Sequence, residues 1–153
     1  MTIIQEINSV KWTDFETDYG KANKISKYLK KLFSRDKKLA MDATHHLWCG
    51  LCYQHTYISN AALPSYKFIR QGLLTLDDEL KLELVDIIKG FAYCTTYEFY
   101  KSTNTKMCLW EMELRKQLIY DLDIFKELSK HEHEMTSYLA KEIVDYLTEE
   151  RND

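Results

Sequence analysis

The chain contains a single proline, Pro64, and only four glycines. A sheet protein of this length would need more turn residues, so the scarcity points to an all-α chain. No apolar run approaches the ~18 residues of a membrane-spanning helix. The opening stretch, MTIIQEINSVKW, lacks a basic start, a long apolar run and a cleavage site, so no secretory signal is expected. Cys49, Cys52, Cys94 and Cys108 lack the spacing of a small disulfide framework, and free thiols in a reducing cytoplasm are the expectation. There is no Gly-x-Ser-x-Gly, no His-Glu-x-x-His and no phosphate-cradling glycine loop. Asp77-Asp78 and Asp121/Asp123 read more simply as a helix cap and a solvated face than as acid–base pairs. The chain is therefore not expected to be an enzyme or to hold a cofactor.

At 153 residues, 45% of them apolar and 29% charged, the chain is long enough for one domain, 1–153, with a sizeable core. Its net charge of −3 conceals an asymmetry. Residues 1–76 carry 11 Lys/Arg against 6 Asp/Glu, whereas residues 77–153 carry 10 against 18, a net +5 and −8. Such a division implies either an oppositely charged partner or pairing between the halves.

Apolar periodicity predicts helices over about 21–33, 37–53, 61–74 and 76–100, a long pattern to about 129, and a last helix over 134–150. Ala43 to Pro64 reads as a helix–turn–helix joint. Ser59 or Asn60 is the expected cap, and Pro64 sits in the next first turn, where a missing N–H matters little. Thr75-Leu-Asp-Asp78 has the form of a capping box. Leu32, Leu39, Ala43, Leu47 and Leu51 recur 41 residues on as Leu73, Leu80, Leu84, Ile88 and Ala92. They recur again, 96 residues from the first set, as Leu128, Met135, Leu139, Ile143 and Leu147. The first interval matches the period of two-helix HEAT-type repeats. The longer second interval implies an insertion within 101–118. The expected fold is a short right-handed α-solenoid of about three HEAT-like helical hairpins, each burying its apolar face on a neighbour.

Several motifs fit one family. They are Trp12, Phe15, Asp18-Tyr19-Gly20 and Ala22, then Leu29, Leu32, Ser34, Asp36, Ala43 and Leu47. Tyr53-Gln54-His55-Thr56-Tyr57 and Ala61-Ala62-Leu63-Pro64 follow. Together, over about 10–75, they resemble small bacterial HEAT-like immunity proteins of polymorphic or contact-dependent growth inhibition toxin systems. The family form usually carries glycine after its His-Gln pair. Here Gln54 precedes His55 and no glycine follows. The resemblance implies a cytoplasmic protein that neutralises a cognate toxin domain by occluding its active site. A basic nuclease domain suits the acidic C-terminal half. HEAT-like repeats also serve as nucleic-acid-binding and adaptor modules, which remain the alternatives.

Within the helix expected over 76–100, the stripe Leu80, Leu84, Ile87, Ile88, Phe91 and Thr95 faces the core. Glu79, Asp86, Tyr93, Tyr97 and Tyr100 fall opposite, at about 100° per residue. Tyrosines suit interfaces because they are large, rigid and polar at the tip, and carboxylates beside them suit a basic partner. These five are the candidate partner-binding residues. The competing reading packs the tyrosines against a neighbouring repeat. His45, Cys49 and Cys52 share a helix face at metal-ligand spacing, with His131 or His133 as a conceivable fourth ligand, but buried structural cysteines are the simpler reading. His55 and Tyr57 are expected to tie backbone groups at helix ends. Lys24, Lys27 and Lys31 line one side of their helix. Without interleaved aromatic readout they read as a solvated face, and nucleic acid is not expected as the partner.

Overall fold

A computed structural model describes residues 1–149. Among these the regular structure is helical apart from one antiparallel hairpin of two two-residue strands. None of the helices is long and apolar enough to cross a membrane.

Helix α1 (Ile3–Ser9) opens on a capping box in which Thr2 and Gln5 satisfy each other's backbone N–H groups. A 3₁₀ turn (Trp12–Asp14) and the strands β1 (Glu16–Thr17) and β2 (Gly20–Lys21) follow. The β-turn between the strands needs the left-handed Gly20, at φ 108°. Helix α2 (Asn23–Leu32) buries Ile25, Leu29 and Leu32 and leaves Lys24 and Lys27 exposed. Helix α3 (Lys37–Cys52) starts at Asp36, whose Oδ1 accepts from the Lys38 and Leu39 N–H groups at 3.0 and 3.3 Å. A second 3₁₀ turn (Tyr53–His55) leads to α4 (Ala62–Thr75), where Pro64 stands in the first turn as expected.

The polar residues ahead of α4 do different work from that expected. The Ser59 hydroxyl donates back to the Gly50 carbonyl at 2.7 Å, closing the end of α3. Asn60 Oδ1 accepts from the Glu16 N–H at 2.7 Å and so anchors β1. Helix α4 has no side-chain cap. Thr75 likewise belongs to the end of α4, donating to the Gln71 carbonyl, while Asp77 caps α5 (Asp78–Tyr93) through the Leu80 N–H at 3.1 Å.

The helix expected over 76–100 is two helices. Thr95 donates into the end of α5 at the carbonyls of Phe91 and Ala92, both 3.0 Å. Thr96 then accepts from the Phe99 N–H at 3.1 Å and caps α6 (Tyr97–Thr103). Adjacent hydroxyls bonded to the main chain end one helix and start the next. The long pattern up to 129 is also divided, into α7 (Leu109–Tyr120) and α8 (Leu122–Leu128), with Asp121 at the junction. Helix α9 (Glu134–Leu147) starts at His133, whose Nδ1 accepts from the Thr136 N–H. The expected extension of this helix to 150 reaches one residue beyond the described chain.

Helices α2 and α3, α4 and α5, and α8 and α9 pack pairwise, and α5 lies between α3 and α9. The thrice-repeated apolar positions fall on these three pairs. Leu39 and Met135 stay exposed, whereas Leu80 is buried. The core joins Phe68, Phe91, Phe125, Leu84 and Ile143. Helices α6 and α7 occupy the longer second interval.

Candidate partner-binding surface

Glu79, Asp86 and Tyr93 do share the side of α5 turned away from the buried Leu84, Ile88 and Phe91. Tyr97 and Tyr100 do not continue that row, because the chain turns at 94–96. Tyr97, 37% exposed, opens α6, and its N–H donates to the Glu149 carboxylate. Tyr100 is buried, and its hydroxyl donates to Glu111 of α7. It is therefore a core residue and is withdrawn from the binding set. Burial and then the Glu111 hydrogen bond push its phenol well up.

The remaining row is partly engaged within the chain. Glu79 pairs with Lys37 at 2.8 Å, and the same ammonium reaches Asp77 at 3.5 Å. Part of the opposite charge of the two halves is thus consumed between them, as Arg70 with Asp121 also shows. Asp86 faces His55 at 3.7 Å. One turn away, burial and then the Asp86 carboxylate push the carboxyl of Glu83 up, with no cation beside it among the described residues. Tyr93 packs at 5.7 Å between ring centroids on Phe99 and at 5.4 Å on Tyr146 of α9.

Helix α9 extends this surface with residues that the sequence reading passed over. Lys89 of α5 holds Glu142 at 3.0 Å, the Tyr146 hydroxyl donates to Glu142 at 3.2 Å, and Tyr138 is 57% exposed beside it. Burial disfavours the Glu142 carboxylate, but Tyr138 and Lys89 outweigh it and hold its pKa below the usual range. The wheel of α9 places Tyr138 and Glu142 away from Leu139 and Ile143. That much was readable from sequence. Their adjacency to α5 was not.

On the other flank of α5 stands the turn after α3. Gln54 and His55 both adopt left-handed backbone, at φ 53° and 54°, a conformation uncommon for residues other than glycine. Trp48 Nε1 donates to His55 Nε2 at 3.4 Å. Neither His55 nor Tyr57 ties a helix-end backbone group. His55 reaches Trp48 and Asp86 instead, and the buried Tyr57 hydroxyl lies toward Asp18, so that burial and then Asp18 push its phenol well up. Cys49 lies 3.7 Å from His45, but Cys52 turns inward to the Ile87 carbonyl. His131 pairs with Asp78, and His133 caps α9. No three His, Cys, Asp or Glu side chains converge on a metal position among the described residues.

Comparison with protein families, with curated proteins and with solved structures gives no match.

Proposed function

We propose that the chain is a stoichiometric binding protein of the immunity type, a stack of HEAT-like hairpins that acts in the cytoplasm. It neutralises a cognate toxin domain by covering its active cleft and performs no chemistry of its own. The observation that carries the reading is the aromatic and acidic surface across α5, α6 and α9. There α5 presents Glu83, Asp86 and Tyr93, α6 presents Tyr97, and α9 presents Tyr138 and Glu142, with Tyr93 packed on Tyr146 of α9. Tyrosines supply contact area at low entropic cost, and the carboxylates steer a cationic surface such as that of a nuclease. The sequence resemblance to HEAT-like immunity proteins supports the same reading.

The test pairs the chain with the toxin domain encoded beside its gene. Tyr97→Ala should weaken binding about 10- to 30-fold through faster dissociation, the effect of truncating a central interface aromatic. Asp86→Lys should slow association, and more so at low salt. Unchanged affinity in both variants removes this face from the interface. Tight, salt-sensitive binding of nucleic acid instead would replace the immunity reading altogether.

A further inference from the structure

Helix α7 is apolar on two opposite sides. Leu114 and Leu118 are fully buried against the body of the protein. Around the other side, Leu109 (84% exposed), Met112 (49%), Ile119 (44%) and Tyr120 (88%) form an uncovered stripe. On a wheel of ~100° per residue these four fall within ~100° of arc, and the exposed Glu113 and Lys116 share the same side. Neither Glu113 nor Lys116 forms an ion pair with another described residue.

We propose that this stripe is a two-fold interface at which a second copy of the chain docks its own α7 antiparallel. The order along the stripe is apolar, acid, base, apolar. Inverting it about a point between positions 114 and 115 sets Glu113 of each copy against Lys116 of the other. The same inversion brings Leu109 of each copy onto Ile119 and Tyr120 of the other. A parallel arrangement would oppose like charges. A two-fold interface requires a patch complementary to itself, and this stripe meets that condition at Leu109 with Tyr120 and at Glu113 with Lys116. A shallow cavity of about 300 Å³ opens between α4 and α7 beside Tyr120, where the inverted copy delivers its Leu109. The helix is only ~18 Å long, so the contact is small beside the ~800 Å² per partner of a standard interface. The dimer is accordingly weak and depends on concentration. This inference does not rest on the proposed function.

Sedimentation equilibrium from micromolar to near-millimolar protein tests it. The parent chain should pass from monomer to dimer over that range. Glu113→Lys and Lys116→Glu, each at an exposed position, should each raise the dimer dissociation constant about tenfold or more, because like charges then face each other. The double variant Glu113→Lys/Lys116→Glu should restore dimerisation. An equimolar mixture of the two single variants should form a heterodimer, one partner carrying two cations on the stripe and the other two carboxylates. Circular dichroism checks that each variant is folded. A parent chain that stays monomeric throughout overturns the proposal. So does a dimer that the single variants leave intact, or one that the double variant fails to rescue.

Discussion

His55 lies against the backbone of Gly90. A β-carbon at position 90 would stand 2.6 Å from His55 Cδ2 and 3.1 Å from both Cβ and Sγ of Cys52. Glycine in the interior of α5 is required by this approach of the 52–55 turn. Helix propensity alone favours alanine there by about 1 kcal/mol. Overpacking a well-filled site costs about 1–3 kcal/mol, and His55, held by Trp48 and Asp86, cannot easily swing away. Gly90→Ala should therefore lower stability by up to about 2 kcal/mol, read as a lower urea midpoint at unchanged slope. A rise in the midpoint would mean that the turn yields freely.

The same histidine makes stability depend on pH. Burial lowers its pKa below the ordinary value near 6.5. The Asp86 carboxylate opposes this shift, and Lys89 reinforces it. The unfolded chain then binds more protons than the folded one between the two pKa values. Stability rises with pH in that window, is complete above about 6.5, and is lost as pH falls below it. His55→Gln should remove this component. The difference in melting temperature between parent and variant, measured from pH 5 to 7.5, should shrink toward the acid end. A constant difference would show that His55 does not titrate differently on folding.

Asp121 is 5% exposed and accepts on one oxygen from both the Tyr66 hydroxyl at 2.7 Å and Arg70 Nε at 2.9 Å. Asp121→Ala strands a buried hydroxyl and a half-exposed guanidinium. It should cost about 2–3 kcal/mol, and Tyr66→Phe about 1–2 kcal/mol. Because both remove the same bond, the double variant should lose about 1 kcal/mol less than the sum. Strict additivity in denaturant titrations would argue against a shared network.

Tyr97 and Tyr100 should part company. Tyr100→Ala empties a buried site and removes the partner of Glu111, so a loss of about 3 kcal/mol or more is expected. Tyr97→Ala, at a partly exposed position whose backbone N–H makes its bond to Glu149, should change stability by about 0.5 kcal/mol or less. Equal melting temperatures for the two variants would contradict this assignment.

Much of the fold was legible before any coordinates. Helices α2, α3, α5 and α9 announce themselves through apolar residues every three or four positions, because helical geometry alone brings those side chains to one face. The absence of long apolar runs and the shortage of proline and glycine act at the same level. Even the α5 row of Glu79, Asp86 and Tyr93 could be placed opposite the core from its spacing.

The sequence by itself determined helical content, most helix positions and the charge of each half, because these depend on neighbours within a turn or two. The tertiary structure alone decided where competing local options resolve. Ser59 and Asn60 are both able to cap α4, but their partners lie 9 and 44 residues away, at Gly50 and Glu16. Periodicity runs on past Tyr93, yet Thr95 and Thr96 break it, and Glu111 of α7 draws Tyr100 into the core. Asp121 looked like part of a solvated face until Tyr66, 55 residues earlier, was found against it. Local spacing says which face of a helix is polar. Whether that face meets water, a salt bridge or another ring is set by which distant segment packs beside it.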